Sequence, residues 1–293
     1  MGPTASGKSA LAHALAQGAG DVEIVTVDSM QVYRGMDIGT AKPTAAAQVD
    51  VRHHLLDVAD PSEDFSLARF LPLARAALAE IAGRGGRALL VGGTGLYVQA
   101  LVDDLEVPGL FPEARAAAEA EADTAVLHAR LAALDPAAAS RMEPTNRRRV
   151  VRALEVTLGS GRPFSSFGPG FSAYPPSPVR QLGLRIDPDL LDRRIEERVV
   201  AMVAAGLVGE VSALAASPGG LSKTARQALG YREVLAHLEG ACSLDEAVHL
   251  TVTRTRQLAR RQRRWFRRDP RIEWVETEGN PLPDLATLLG DSP

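Results

Sequence analysis

The sequence contains little of several residue types, and each shortage excludes a class of protein. Its 293 residues include one cysteine, Cys242, which excludes an internal disulfide and a zinc site built from several cysteines. No apolar run reaches the roughly 18 residues that a membrane-spanning helix needs. We therefore expect no membrane contact and a cytoplasmic location. Hydrophobic residues at 45% and charged residues at 24% are typical of a globular protein.

Lysine is also scarce, and the basic residues are mostly arginines that lie in clusters. Only Lys8, Lys42 and Lys223 are lysines. The formal net charge is −3, yet residues 254–268 contain eight arginines and no acid, and residues 147–152 contain four more arginines. Because the positive charge is segregated, the overall charge does not exclude an anionic polymer as partner.

The chain opens with the pattern G-x-x-x-x-G-K-S at Gly2–Ser9, directly before an apolar helical run at residues 10–16. In such a loop, backbone N–H groups and a helix N-terminus bind phosphate, Lys8 adds a positive charge and the Ser9 hydroxyl coordinates Mg²⁺. An ordinary glycine-rich turn is the alternative. The predicted diphosphate- or nucleotide-binding residues are Gly2, Pro3, Thr4, Ala5, Ser6, Gly7, Lys8 and Ser9, with Ser9 as the metal ligand.

The position of this loop in the chain is unusual, because a phosphate loop normally follows a buried parallel strand. Here only Met1 precedes Gly2. We expect an α/β fold with a P-loop NTPase-like parallel sheet flanked by helices, and we expect its first strand to be missing from this sequence.

Candidate site residues follow two predicted strands. The β-branched run at 22–27 predicts a buried strand, and Asp28 follows it directly. A second strand at 87–91 leads into Gly92–Gly95, which contains Thr94 and precedes a helix at 96–101. Because ligands bind at the carboxyl edge of parallel strands, Asp28 and Thr94 are candidate site residues. Alternatively, Asp28 caps a turn and Thr94 belongs to a plain tight turn.

Two segments lie between these strands. Residues 29–43 have neither helical nor strand period and predict a binding loop, with a plain surface connection as the alternative. A short strand is predicted at 53–58, where His53 and His54 point to opposite faces and are more suited to structure than to a metal. A helix at 66–81 follows.

From residue 108 to 178 the pattern becomes helical, which predicts an all-helical insertion. Helices are expected at 113–122, 127–134 and 146–158, the last ended by Gly159. Arg148, Arg149 and Arg152 share one side of that helix, either as a binding face or as a solvated one. The core is thus predicted as two parts, 1–107 and 179–293.

The second part begins with a strand at 181–186 that should return to the sheet. A helix from Pro188 then carries Arg194 and Arg198 on one face. Ser243 and Glu246 form a capping box before a basic helix that extends to about residue 268. Further helices are predicted at 208–215 and 225–238, and a last strand at 272–275.

Together these motifs resemble, in order and over nearly the whole chain, those of the tRNA dimethylallyltransferases, also called tRNA isopentenyltransferases. The segments that carry the resemblance are Gly2–Ser9, Asp28–Gln31, Tyr33–Pro43, Gly92–Thr94, Arg152–Glu155, Gln227–Tyr231 and Thr255–Gln262. The resemblance implies transfer of a dimethylallyl group from dimethylallyl diphosphate to N6 of the adenosine immediately 3′ of a tRNA anticodon, with Mg²⁺ as cofactor. We expect a monomer.

The resemblance also implies roles for individual residues. The phosphate loop would hold the diphosphate leaving group, Asp28 would accept the N6 proton, Thr94 would orient the amine or the base, and Arg198 would lie near the diphosphate. Both the helical insertion and the basic C-terminal helix would grip the anticodon loop. The residues implied to contact tRNA are Asp28, Ser29, Met30, Gln31, Thr94, Arg115, Arg148, Arg149, Arg152, Gln227 and Arg232.

Three other functions stay open at this stage. A prenyltransferase acting on free adenylate has no evident use for the insertion and the arginine-rich helix. A phosphate-loop kinase of a small metabolite should carry a base-binding element, which the sequence does not display. A non-enzymatic RNA-binding protein with a decayed site is the third alternative.

Overall fold

The computed structural model describes residues 1–168, 170–171 and 173–277. These residues form two compact units, of which the first joins Met1–Val98 to the described chain from Pro178 onward, and the second is Gln99–Ser177. The second unit begins earlier than the helical insertion predicted for 108–178. Parallel strands flanked by helices confirm the predicted α/β fold.

The secondary-structure elements follow one another as in a chain that alternates strand and helix before and after a purely helical stretch. The first part contains α1 Lys8–Ala19, β1 Val22–Val27, α2 Ala45–Asp50, β2 His53–His54, α3 Leu67–Gly83, β3 Arg87–Gly92 and α4 Gly95–Val102. The helical stretch contains α5 Pro112–Glu119, α6 Thr124–Leu134, α7 Pro136–Ala139 and α8 Arg147–Ser160. The last part contains β4 Gln181–Arg185, α9 Pro188–Ala204, α10 Leu207–Ala216, α11 Tyr231–Leu238, α12 Leu244–Phe266 and β5 Ile272–Glu276.

A three-stranded parallel sheet in the order β2-β1-β3 forms the centre of the first unit. The β-branched sequence of β1 suits a strand that is covered by other elements, and α1 packs Ala12 and Ala16 against Val22 and Ile24. In the register between β1 and β3, Val27 lies opposite Gly92. The two strands therefore end side by side, which brings the residues after them to one edge.

The strand predicted to return to this sheet does not pair with it. β4 instead pairs in parallel with β5, from Gln181 opposite Ile272 to Arg185 opposite Glu276. On its other side, the Leu184 N–H donates a 2.9 Å hydrogen bond to the Met1 carbonyl. Backbone groups of β4 are thus bonded to β5 and to Met1, so the predicted pairing with the main sheet was wrong.

Two other predicted elements are shorter than the sequence suggests. The strand predicted for 53–58 stops after His54, because Leu55 and Asp57 adopt left-handed conformations with φ of 67° and 56°. The helix predicted for 225–238 is divided into a 3₁₀ turn at Ala225–Gln227 and α11. Gly230 interrupts it with φ of 90°, a conformation that glycine adopts readily.

The second unit is built around α8, whose apolar face packs on α6 and α7. Val150, Val151 and Leu154 are buried there with Leu127 and Leu131. The sequence placed the end of α8 at Gly159, but the helix continues to Ser160 and ends at Gly161, where φ is 70°. Gly159 has a different cause, because a Cβ atom on it would lie 2.2 Å from the Phe111 ring.

Among the described residues, no single helix is long and apolar enough to cross a membrane. The bent pair α9 and α10 satisfies the criteria of length and composition only when the two helices are taken together.

Candidate active site

The loop before α1 has the backbone shape that its sequence predicts. Gly7 is left-handed, with φ of 87°, and Lys8 is the first residue of α1. The first N–H groups of a helix lack partners within it and can bind an anion. Ala5 fixes the loop from below by packing with Ile186 and Val199 in one buried cluster.

Lys8 and Arg198 provide the positive charge at this loop. The Lys8 ammonium lies 3.4 Å from the Pro3 carbonyl, and Lys8 has no carboxylate partner in the described part of the chain. Burial lowers the pKa of Lys8 to about 8; the negative charge of Asp28 opposes this shift and the positive charge of Arg198 adds to it. Burial also lowers the pKa of Arg198, for which the described residues supply no ion-pair partner. Two cations that lack a counterion in one place form a site suited to an anion.

Asp28 caps a turn, as one of its predicted alternatives held, while lying in the same site. Its Oδ1 accepts hydrogen bonds from the N–H of Met30 at 2.8 Å and of Gln31 at 3.3 Å. Within the described residues, Oδ2 has no hydrogen-bond partner. One oxygen of the carboxylate therefore fixes its orientation, and the other is available to a ligand.

Thr94 lies beside Asp28 because their two strands end together. The Ser29 N–H donates a 3.3 Å hydrogen bond to Thr94 Oγ1, which leaves the hydroxyl hydrogen available for donation. The glycine before this loop is required by the sheet, since a Cβ atom on Gly92 would lie 2.0 Å from the Val27 carbonyl oxygen.

All of these groups line one cavity of about 460 Å³ in the first unit. It extends from the phosphate loop past Asp28 and Thr94, and apolar side chains cover part of its wall. The predicted residues brought together there are Thr4, Ala5, Gly7, Lys8, Ser9, Asp28, Ser29, Met30, Gln31, Thr94 and Arg198. Apolar lining residues include Val91, Leu96, Met202, Leu229, Leu258 and Trp265.

The predicted binding loop at 29–43 forms part of this cavity and is held by side chains that the sequence did not single out. The Glu210 carboxylate on α10 accepts hydrogen bonds from the N–H groups of Asp37, Ile38 and Gly39 at 3.0, 2.7 and 3.1 Å. The Tyr231 hydroxyl donates to the same carboxylate. Nothing in the sequence pattern around Glu210 indicates this role, because a lone acid on a helix is ordinarily exposed.

Gln262 on α12 is a second residue that sequence reasoning did not name as part of the site. Its Oε1 accepts a 2.8 Å hydrogen bond from the Thr4 N–H, and its Nε2 donates a 2.9 Å hydrogen bond to the Gly93 carbonyl. The available signal was its place at the end of the segment Thr255–Gln262, which contributed to the family resemblance.

Several arginines predicted to contact tRNA have carboxylate partners within the protein. In the second unit, Arg152 and Arg115 lie 2.6 and 3.4 Å from the fully buried Glu155. In the first unit, Arg232 lies 3.0 Å from the buried Glu233. These contacts give the three arginines a role in the fold and leave their binding to tRNA a prediction.

The remaining residues predicted to contact tRNA are exposed. Arg148 and Arg149 lie on α8, where the described residues offer their side chains no partner. Gln227 is exposed in the 3₁₀ turn before Gly230. Arg148 and Arg149 therefore keep both their charge and their hydrogen-bond donors available.

The site is compatible with Mg²⁺, which prefers oxygen ligands and is commonly bound through one or two protein groups together with substrate phosphates. Ser9 is exposed in the first turn of α1 and lines the cavity that contains Asp28. Elsewhere in the described chain, no group of three or more His, Cys, Asp or Glu side chains is arranged to hold a metal ion. A metal at Ser9 would therefore depend on oxygen atoms of the ligand.

Comparison with known proteins connects this geometry with one family. The family model described as IPP transferase matches residues 31–269. The tRNA dimethylallyltransferase of Kineococcus radiotolerans is 51% identical, over 98% of this chain and 92% of that protein. The enzyme of the same name from Geobacter metallireducens is 49% identical, over 99% of this chain and 95% of that protein.

Solved structures agree with the sequence comparison. The full-length tRNA isopentenylpyrophosphate transferase of Bacillus halodurans has a TM-score of 0.72 at 36% identity and covers 99% of this chain and 94% of its own. A eukaryotic dimethylallyltransferase acting on tRNA has a TM-score of 0.77 at 28% identity, over 94% of this chain and 72% of its own. The chain therefore belongs to the IPP transferase family, the tRNA dimethylallyltransferases.

Proposed function

We propose that this chain transfers a dimethylallyl group from dimethylallyl diphosphate to N6 of the adenosine immediately 3′ of the anticodon in tRNA. One observation carries the proposal: a single cavity joins a loop suited to phosphate with a carboxylate and a hydroxyl suited to an exocyclic amine. Family membership supports this choice over other reactions of allylic diphosphates.

The positive end of the cavity is suited to the diphosphate leaving group. As the bond between the allylic C1 and the diphosphate oxygen breaks, the electron pair of that bond remains with the diphosphate. Lys8, Arg198 and the N–H groups at the start of α1 stabilise the charge that develops on those oxygens. When bound at Ser9, Mg²⁺ would neutralise further negative charge on the diphosphate.

The other end is suited to the attacking amine. A new bond forms between N6 of the adenosine and C1 of the dimethylallyl group, and N6 loses one proton. Asp28 Oδ2 is the acceptor for that proton, since Oδ1 is already bonded to Met30 and Gln31. The Thr94 hydroxyl can donate to the base or orient the amine.

Contact with tRNA is assigned to residues outside this cavity as well as within it. Arg148 and Arg149 are exposed cations suited to the phosphate backbone. An adenosine within the anticodon loop must leave its stack before its N6 can enter a cavity, so the remaining contacts should hold the loop around it. We retain the cytoplasm and a monomeric state as part of this proposal.

The test is incubation with Mg²⁺, dimethylallyl diphosphate and unmodified tRNA, followed by mass spectrometry of the digested nucleosides, with free AMP in a parallel reaction. Prenylated adenosine from tRNA alone is the expected result. Prenylated AMP would assign the chain to a free-nucleotide prenyltransferase, and transfer of phosphate from ATP to a small acceptor would indicate a kinase. Absence of prenylation from both acceptors would overturn the proposal.

A further inference from the structure

Gln262 connects the two loops that form opposite ends of the cavity. Its side-chain amide lies between the phosphate loop, at the Thr4 N–H, and the loop after β3, at the Gly93 carbonyl. The two hydrogen bonds, at 2.8 and 2.9 Å, use both functions of the amide, one as acceptor and one as donor. No other natural side chain of this length offers both functions in one planar group.

The surroundings of Gln262 restrict its position. A Cβ atom on Gly93 would lie 2.6 Å from Gln262 Nε2 and 3.2 Å from the Gly2 carbonyl oxygen, so only glycine lets these segments approach. One turn further along α12, Trp265 packs on Gly95, where a Cβ atom would lie 2.2 Å from the indole. The capping box at Ser243 fixes the start of the same helix. α12 is therefore a rigid support for the amide.

The two loops carry the two halves of the reaction. Thr4 belongs to the loop proposed to hold the diphosphate, and Gly93 immediately precedes Thr94, which is bonded to the backbone next to Asp28. The distance between the loops thus sets the distance between C1 of the dimethylallyl group and the amine. A misplacement of about 1 Å in such an arrangement can reduce the rate about a hundredfold.

We propose that Gln262 is a positioning residue that holds the two loops in register, so that the bound allylic carbon and the bound adenosine amine meet. It acts through backbone groups and touches neither reacting atom. This inference rests on the proposed function. Each substrate binds mainly to its own loop, so loss of the bridge should slow the chemical step and leave both affinities nearly unchanged.

The experiment compares the Gln262→Met and Gln262→Glu variants with the unmodified chain in single-turnover prenylation of tRNA at saturating dimethylallyl diphosphate. Methionine has a similar length and removes both hydrogen bonds, whereas glutamate keeps the shape and an acceptor but loses the donor to Gly93. Gln257→Met is the matched control, because Gln257 is an exposed glutamine on α12 outside the cavity. The reaction amplitude reports the fraction of active enzyme, and the rate constant reports the chemical step.

We expect the rate constant to fall about tenfold to a hundredfold in both Gln262 variants, with unchanged amplitude and with Km values for both substrates within about threefold. The control should match the unmodified chain. A rate constant equal to that of the control in either Gln262 variant would overturn the inference, as would a lower amplitude at an unchanged rate, which indicates a role in folding only. If the unmodified chain produces no prenylated tRNA, the proposed function fails instead.

Discussion

The arginines and lysines of the two units differ in what their charges contact. In the cavity of the first unit, Lys8 and Arg198 lie without a carboxylate partner among the described residues. In the second unit, Arg115 and Arg152 surround the buried Glu155, and Arg152 also donates to the carbonyls of Pro108 and Gly109. A buried cation without a counterion costs stability and is retained where a ligand supplies the charge, whereas a paired one serves the fold.

The largest expected effect comes from removing the cation at the phosphate loop. Lys8→Ala should reduce the rate of prenyl transfer by about 10²–10³-fold, because the diphosphate loses a fixed charge that stabilises its departure. Steady-state kinetics with tRNA as acceptor measures the loss. Binding of tRNA, measured by fluorescence anisotropy, should persist. Full activity of this variant would remove the functional side of the comparison.

On the structural side, Glu155→Ala should lower the free energy of unfolding by about 3–5 kcal/mol, because it leaves two arginines and the Phe111 N–H without their shared acceptor. Urea denaturation followed by circular dichroism measures the change. Glu143→Ala is the control, since Glu143 is exposed and its carboxylate has no partner in the described structure. Equal stability of the two variants would contradict a structural role for the Glu155 cluster.

The exposed arginines of α8 should affect binding and leave stability unchanged. The double variant Arg148→Ala, Arg149→Ala should weaken tRNA binding about tenfold and reduce the dependence of log affinity on log salt by about 1.4, at about 0.7 for each lost phosphate contact. Its free energy of unfolding should change by less than about 0.5 kcal/mol. An unchanged salt dependence would mean that these arginines do not contact RNA phosphates.

A smaller effect is expected from pH. Because burial lowers the pKa of Lys8 to about 8, dimethylallyl diphosphate should bind well below this pH and about tenfold less tightly one pH unit above it. The unfolded state keeps the ordinary pKa of 10.5 and binds more protons between these values, so this group makes the fold more stable as pH rises. Weaker binding, measured by calorimetry, therefore cannot come from unfolding through Lys8. Binding that is constant from pH 7 to 9 would contradict the assignment.

Local patterns predicted the elements that form the cavity better than those that depend on distant partners. β1 has the predicted bounds, because six β-branched or apolar residues between turn residues specify a buried strand. The partner of β4 could not be predicted, since pairing with β5 depends on residues about 90 positions away. The role of Gly159 was misjudged for the same reason, because its contact with Phe111 is tertiary.

The site shows the same division. Lys8, Asp28, Thr94 and Arg198 were named from motif, strand ends and family resemblance, and all four line the cavity. Glu210 and Gln262 act through backbone hydrogen bonds, and such partners leave no spacing in the sequence.

The comparison is tested most directly by one pair of matched variants, Arg198→Gln and Arg152→Gln, each measured for prenyl transfer at saturating substrates and for free energy of unfolding. We predict that Arg198→Gln reduces transfer about a hundredfold and does not reduce stability, because it removes a cation without a counterion. Arg152→Gln should lower the free energy of unfolding by about 3 kcal/mol and leave transfer by the folded protein within a few fold. The reverse pattern, with Arg198 needed for stability and Arg152 for transfer, would contradict the account.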